Sequence, residues 1–222
     1  MKKAVRIKVR QAILKDINDM LMVEEEAWQG KFQFTREHLI SQMETYPEGL
    51  ICALVDGKVE GFVVLEILNY EIGEKSPSWS EITDNGFIKN THNDEGDTIY
   101  GVNLSVSPHA MHGTSDMLME AVAKLTIKRN MKQVILGGRI PRYHKYCNKY
   151  TPEEYIRAKK GKRLLDPELY IYNKAGLEII KVIPNYFNDP ESLNNGVLLR
   201  WKNPSYNWFY PLRWLLSRLF KL

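Results

Sequence analysis

The chain has 222 residues, of which 44% are hydrophobic and 26% charged, and its formal net charge is +4. This composition is that of a folded globular protein and excludes a chain that is disordered throughout. The near-neutral balance argues against a protein that binds a nucleic-acid backbone. Two cysteines, Cys52 and Cys147, are too few for a disulfide framework, and no cysteine–histidine cluster has the spacing of a metal site. We therefore expect a reducing compartment, no metal and no nucleic-acid partner.

No targeting segment is visible in the sequence. The basic start is not followed by the apolar stretch of a secretory signal, and no apolar run approaches the ~20 residues that span a bilayer. The expected localisation is cytoplasmic.

The first half of the chain predicts a strand, two helices and a hairpin. Apolar and basic residues alternate over 4–12, and a helical pattern opens at Lys15 and Asp16. Thr35 is a typical cap for a second helix that runs to Met43. Strands are predicted over 50–55 and 58–68, joined by a turn at Asp56 and Gly57. Residues 71–99 have turn residues without a period and are interpreted as an inserted loop.

The second half predicts a strand over 100–106, a helix over 114–129 and a strand over 133–136. Proline follows Thr151 and Asp166, which marks two further helix starts. The last strands are predicted over 177–183 and 196–201. This order indicates one mixed α/β domain over 1–204 and a tail over 205–222.

The tail is rich in aromatic and basic residues. If it is helical after Pro211, one face carries Leu212, Leu215, Leu216, Leu219 and Phe220, and another carries Arg213, Ser217 and Lys221. Two interpretations stay open: a terminal helix that docks on the domain or on a second subunit, and a helix that lies at a membrane interface as a peripheral contact.

A strand, loop and helix over 102–123 form the segment most indicative of chemistry. The loop has one glycine, Gly113, and leads straight into the helix predicted from Thr114. Free N–H groups and the positive end of the helix dipole meet at such a start, which suits a pyrophosphate. An ordinary capped helix is the alternative.

The element order, this loop and the stretch YNKAGLEIIKVIPNYF (172–187) resemble the GNAT (Gcn5-related N-acetyltransferase) superfamily. The family loop reads Gln/Arg-x-x-Gly-x-Gly/Ala. In the matching stretch, 110–115, Gly113 matches strictly, Ala110 replaces the basic or amide residue, and Ser115 replaces the last small residue. The stretches THNDEGD (91–97), GGRIPRYHKY (137–146), TPEEYI (151–156), DPEL (166–169) and LLRWKNP (198–204) resemble the branch often joined to a carbon–nitrogen hydrolase (nitrilase-like) domain.

The resemblance implies an α/β (α+β) fold: a mixed, mostly antiparallel sheet of about seven strands, splayed between strands 4 and 5, flanked by helices and followed by a C-terminal amphipathic helix. It also implies an N-acetyltransferase that uses acetyl-CoA as co-substrate. Its acceptor would be a primary amine of a small molecule or peptide, attacking directly in a ternary complex.

The resemblance also assigns site residues. Tyr172 matches the tyrosine that protonates the departing thiolate; the alternative is a core tyrosine on the helix before Gly176. The residues expected to bind the cofactor are Leu104, Ser105, Val106, Met111, His112, Gly113, Thr114, Ser115 and Asn173. The residues expected to face the acceptor are Asn103, Arg139, Tyr143 and His144. For the last three, the alternative is that they stabilise the loop over 137–146.

The general base stays open. Glu66, Asp97, His92 and His144 are hypotheses, as is a chain of water molecules. The acids at 24–26 are interpreted as a solvated helix face, although helices of the family line the acceptor cleft here. The altered loop and the missing base also leave open a relative that has lost its chemistry and serves as a binding or regulatory module. A homodimer is plausible from the general frequency of such assemblies.

Overall fold

The computed structural model describes residues 6–29, 33–73 and 76–221. Its main sheet has seven strands in the order β1-β2-β3-β4-β5-β9-β8, and a separate hairpin pairs β6 with β7. The strands are β1 (Ile7–Gln11), β2 (Leu50–Val55), β3 (Lys58–Leu68), β4 (Thr98–Val106), β5 (Gln133–Gly138), β6 (Lys159–Lys160), β7 (Arg163–Leu164), β8 (Glu178–Ile183) and β9 (Gly196–Lys202). Every neighbouring pair in the main sheet is antiparallel except β4 and β5. The predicted fold class is confirmed.

Helices cover this sheet, and local cap chemistry explains where several begin. They are α1 (Ile17–Trp28), α2 (Arg36–Thr45), α3 (Trp79–Ile82), α4 (Thr114–Lys128), α5 (Pro152–Tyr155), α6 (Pro167–Lys174) and α7 (Tyr210–Leu219). The Asp166 carboxylate accepts the N–H groups of Glu168 and Leu169, which have no acceptor within the helix. Thr151 caps α5 in the same way, through the N–H of Glu154. Both predicted helix starts are confirmed.

The sheet opens between its two parallel strands. β4 pairs with β5 only from Thr98 to Gly101, opposite Gln133 to Leu136. β4 then continues to Val106 without pairing to any described strand on that side, while β5 stays paired with β9 up to Gly138. Opposite β3, the register shifts so that Val102 of β4 is an extra, bulged residue, and bulges bend strands. The bend and the loss of pairing confirm the predicted splay.

The segment over 71–99 is more ordered than its sequence indicates. It contains α3 and a 3-10 turn at Asp84–Gly86, and β4 begins at Thr98 rather than at Tyr100. The Trp79 indole Nε1 donates a hydrogen bond to the carbonyl of Val102, 2.9 Å away. The segment therefore folds over the bulge of β4. Sequence periodicity does not show this because α3 has only four residues.

The tail is helical, as predicted, over Tyr210–Leu219. It lies beside α4, and the Phe220 ring meets the Trp201 ring edge-on, with 5.7 Å between centroids. Within the described ranges, no helix combines the length and the apolar character needed to cross a membrane. Ala4 and Val5, part of the predicted first strand, lie outside the described residues.

Candidate functional site

A cavity of about 680 Å³ occupies the splay between β4 and β5. This volume lies in the range of small-molecule sites. α1, α4 and α6 supply walls, through residues such as Glu24, Leu118 and Tyr172. Most of its lining is apolar, so charged groups that reach it are few and informative.

Glu24 on α1 is a buried carboxylate on the wall of this cavity. One oxygen accepts the N–H of Phe34 at 3.1 Å. The other accepts the Asn103 amide at 3.0 Å and the Ser105 hydroxyl at 2.5 Å. Burial raises the pKa of Glu24 above its ordinary value, and these three donors oppose the shift without cancelling it. A carboxyl held in this way is a better base than one in water.

Ser105 connects Glu24 to Trp28. The indole Nε1 of Trp28 can only donate, and it donates to the Ser105 oxygen at 2.8 Å. Asn103 donates to the same oxygen at 2.9 Å. With its oxygen accepting twice, the Ser105 hydroxyl turns its proton to Glu24. The direction of the network is therefore fixed by chemistry, and it holds the carboxylate in one position.

Arg139 follows β5 and reaches the cavity over the ring of Trp28, 5.4 Å from the ring centroid. Its guanidinium donates to Asp189 at 2.8 and 3.2 Å and to Glu191 at 2.9 Å. Glu168 is a third acidic neighbour, at 3.5 Å. Arg139 thereby packs against the Trp28 ring on the cavity wall, and its positive charge is balanced by these acidic neighbours.

Tyr172 on α6 lines the cavity, and its ring lies beside Gly138 of β5, where a Cβ would come within 3.5 Å of it. Burial raises the pKa of Tyr172, so its hydroxyl stays protonated at neutral pH. Among the described residues, none makes a hydrogen bond to this hydroxyl. The proton is available to a group bound in the cavity.

The start of α4 lies at the same opening. Gly113 has φ +93°, a conformation that glycine adopts without strain, and Met117 N–H makes the first helical bond to its carbonyl. The N–H groups of Ser115 and Asp116 belong to the first helical turn, which has no acceptors of its own. In the preceding loop the N–H of Met111 is already taken, by the Glu60 carboxylate at 2.8 Å. An acid therefore lies at the edge of this helix start, and the anion site stays a prediction.

The structure brings together some of the sequence-predicted site residues. Those that line the cavity are Asn103, Leu104, Val106, Ser115, Arg139 and Tyr172. Ser105 lies behind them on Glu24, and Met111, His112, Gly113 and Thr114 form the loop and helix start.

The three remaining predicted residues belong neither to the cavity lining nor to the loop and helix start. Tyr143 is buried and donates to the carbonyl of Tyr150. His144 contacts the carbonyl of Glu191, and Asn173 donates to the carbonyl of Leu177.

The four hypothetical bases do not line the cavity either. Glu66 accepts the Thr91 hydroxyl, and His92 contacts Asp94 and the N–H of Ile67. Asp97 accepts the Thr98 hydroxyl. Glu24 is the acid that sequence reasoning passed over. Its spacing was a signal, because Met20, Glu24 and Trp28 recur every four residues on one face of α1.

No group of three or more His, Cys, Asp or Glu side chains within the described ranges could hold a metal ion.

The chain is similar in sequence to two bacterial proteins. No family model matches the chain. The chain is 36% identical to the "Uncharacterized N-acetyltransferase YkwB" of Bacillus subtilis over 196 residues, 86% of either chain. It is 33% identical to the "Probable hydrolase YhcX" of the same organism, over 89% of this chain but only 39% of that protein.

Solved structures match over almost the whole fold. The loading GNATL domain of CurA from Lyngbya majuscula has a TM-score of 0.77 at 19% identity, covering 89% of this chain and 98% of that one. The GphF GNAT-like decarboxylase in complex with isobutyryl-CoA has 0.77 at 20%, covering 88% and 99%. The ribosomal-protein-S18-alanine N-acetyltransferase from Escherichia coli has 0.54 at 12%, covering 89% and 94%. The 36% identity over 86% of an N-acetyltransferase, together with the fold shared with GNAT structures, shows that the chain belongs to the GNAT superfamily.

Proposed function

We propose that the protein is an N-acetyltransferase that moves an acetyl group from acetyl-CoA to a primary amine of a small molecule or peptide. The observation that carries this proposal is the buried Glu24 carboxylate in the same cavity as the unpartnered Tyr172 hydroxyl. Amide formation from a thioester needs a base for the amine and an acid for the sulfur. The cavity offers one of each.

Glu24 is the base in this proposal. It takes the proton that the attacking nitrogen of the neutral amine loses as the amide forms, and an acceptor that arrives as ammonium first releases one proton to solvent. Its raised pKa reduces the difference between the pKa of Glu24 and that of the amine, which makes the proton transfer easier. Ser105, Asn103 and the N–H of Phe34 hold the carboxylate still, so little reorganisation accompanies the reaction.

Tyr172 is the acid. As the new carbon–nitrogen bond forms, the carbon–sulfur bond breaks and its electron pair leaves on sulfur. The phenol donates its proton to that sulfur and regains one from solvent. From the neutral amine, protons and charge balance: Glu24 gains the proton that the nitrogen loses and passes it to solvent, while solvent returns to Tyr172 the proton that the sulfur received.

Coenzyme A fits the opening by its chemistry. The free edge of β4 past Gly101 offers backbone groups to the amides of the pantetheine arm. The first turn of α4 offers N–H groups and a partial positive charge to the pyrophosphate. The apolar residues of α4 and α6 enclose the thioester end, away from water.

The acceptor side of the cavity is aromatic. Trp28, Phe34 and Trp79 line the cavity together with Glu24, and the Phe34 ring, whose backbone N–H donates to Glu24, stacks on Trp79. A single buried carboxylate within aromatic walls suits an amine attached to an apolar or aromatic group. We therefore propose amines of this kind as the first acceptors to screen.

A second function deserves a test because of the structural comparison. Two structures at TM-score 0.77 are a loading domain and a GNAT-like decarboxylase, whereas the bacterial N-acetyltransferase reaches 0.54. The reaction would release CO₂ from a malonyl-type thioester by breaking a carbon–carbon bond, and the carbon would then take a proton. Arg139, the one cationic side chain among the described cavity residues, is already shared by Asp189, Glu191 and Glu168, so a substrate carboxylate would lie near Glu24 without a free cation. Acyl transfer therefore ranks first.

The test begins with calorimetric titration of acetyl-CoA into the wild type, Gly113→Trp and Ser115→Trp. Bulk at the helix start should abolish binding, and Ser115→Trp controls for strain from the positive φ of Gly113. Thiol release is then followed with a panel of amines. Absence of binding by the folded wild type overturns the proposal. Acetyl-CoA and CO₂ formed from malonyl-CoA, with no amine turnover, would establish the second function instead.

A further inference from the structure

The tail helix α7 turns its bulky side chains away from the domain. Seven large apolar side chains of the tail are between 42 and 74% exposed, and together we call them the tail surface: Trp208, Phe209, Tyr210, Leu212, Trp214, Leu215 and Leu219. The body-facing side carries Ser217, which is buried, and Arg213, Leu216 and Phe220, which are half-buried; the Phe220 ring packs on Trp201. The helix therefore rests on the domain by its less apolar side.

Cations lie along this surface. Arg218 stacks over the Trp214 ring, 3.8 Å from the centroid, and Arg213 lies 5.8 Å from the centroid of Tyr210. Arg213 also donates to the carbonyl of Trp208 at 2.8 Å. Lys221 adds a third positive charge, and residues 192–222 contain no Asp or Glu. Aromatic, aliphatic and cationic groups are thus presented together, with no acid of the tail to neutralise them.

We propose that the tail surface docks on a bilayer that contains anionic lipids. Tryptophan, tyrosine and arginine are the residues that settle at the boundary between headgroups and acyl chains, and leucine enters the apolar layer. Negative headgroups supply the counter-charge that no acidic side chain of the tail provides for Arg213, Arg218 and Lys221. A helix of ten residues, about 15 Å long, is too short to cross, so it lies in the plane of the interface.

Charge complementarity favours this occupant over a second copy of the chain. In a symmetric dimer through the tail surface, the same patch of each copy faces the other. The positive charges of Arg213, Arg218 and Lys221 from both copies would then lie in one interface, and the tail has no Asp or Glu side chain to pair with them. This proposal stands on the tail alone and does not depend on the acyl transfer proposed above.

The experiment is co-sedimentation of the full chain with vesicles, either of phosphatidylcholine or with about 30 mol% phosphatidylglycerol, at low and high salt. One variant, Phe209→Ser/Leu215→Ser/Leu219→Ser, removes apolar contact. A second, Arg218→Glu/Lys221→Glu, reverses charge. The control Lys159→Glu/Lys160→Glu makes the same charge change on exposed residues of the β6–β7 hairpin. Thermal melts check that each variant folds.

Wild type and control should bind the anionic vesicles, weakly at high salt, and should bind phosphatidylcholine at least tenfold less. Both tail variants should lose at least tenfold in binding to the anionic vesicles. The proposal is overturned if the folded wild type does not sediment with anionic vesicles, or if the tail variants bind as well as it does. A wild type that forms dimers in sedimentation velocity, with monomeric tail variants and no vesicle binding, would instead assign the surface to a second copy.

Discussion

Replacing the Glu24 carboxylate by an amide should remove the general base of the proposed acyl transfer. Glu24→Gln keeps the shape and an acceptor for the N–H of Phe34, but the amide does not take a proton. We expect kcat/KM to fall by about 10²–10⁴ while acetyl-CoA binding is kept. The measurement is steady-state kinetics beside titration calorimetry, with the exposed neighbour Glu25→Gln as control.

The pH dependence gives Glu24 a second readout. The base acts in its ionised form, and its pKa lies above the ordinary value, so the rate should fall as pH drops through a midpoint above about 4.5. In Glu24→Gln this acidic limb should be absent from the residual rate. An unchanged profile in the variant would assign the base to another group.

Tyr172→Phe tests the acid. Loss of the phenol proton leaves the departing sulfur as a thiolate, and we expect kcat to drop by about 10²-fold with little change in acetyl-CoA affinity. Tyr170, two residues earlier on α6, stacks under Arg163 and does not line the cavity. Tyr170→Phe is therefore the matched control. Equal activity of the two variants would contradict the role of Tyr172.

At the scale of elements, the loop before α4 carries a charge that opposes its proposed ligand. Glu60→Gln preserves an acceptor for the N–H of Met111 but removes a negative charge beside the pyrophosphate. Acetyl-CoA should bind up to about fivefold tighter at low salt, an effect below about 1 kcal/mol because the pair is exposed. At high salt the difference should vanish. Calorimetry on Glu60→Gln and on the exposed Glu95→Gln checks this, and weaker binding by Glu60→Gln would mean that the loop needs the carboxylate.

Elements are also the scale at which sequence predicts best. The turn at Asp56 and Gly57, both with positive φ, and the caps at Thr151 and Asp166 are local chemistry, and each is found where expected. The sequence does not predict a buried Glu24, because its burial depends on Ser105 and Asn103, roughly 80 residues away. The tail shows the same limit: an amphipathic pattern predicts two faces, but packing on α4 and Trp201 decides which one stays exposed.

At the scale of the whole molecule, Glu66 couples stability to pH. It is fully buried on β3, and only one of its oxygens has a partner, the Thr91 hydroxyl at 2.6 Å. Burial raises the pKa of Glu66 to about 8. The folded chain thus holds a proton that the unfolded chain releases above about 4.5. The free energy of unfolding should fall as pH rises from about 4.5 to 8, by up to roughly 1.4 kcal/mol for each pH unit.

Glu66→Gln should remove this dependence. The variant should be more stable than the wild type at pH 8, by a few kcal/mol, and close to it near pH 5. Urea unfolding at both pH values measures the difference, with the exposed Glu44→Gln on α2 as control. A variant that is equally destabilised at both pH values would show that the carboxyl matters for packing rather than for its proton.

The chain's five tryptophans fall into two groups, one in the cavity and one on the tail surface. Trp28, Trp79 and Trp201 line the cavity, and Trp208 and Trp214 stand exposed on the tail. The protein's own fluorescence therefore has two separable sources. With Trp208→Phe and Trp214→Phe, the remaining emission reports what enters the cavity, while in the wild type an aqueous quencher such as iodide reports whether the tail is covered. Ligand binding and surface docking become readable on the same unlabelled sample.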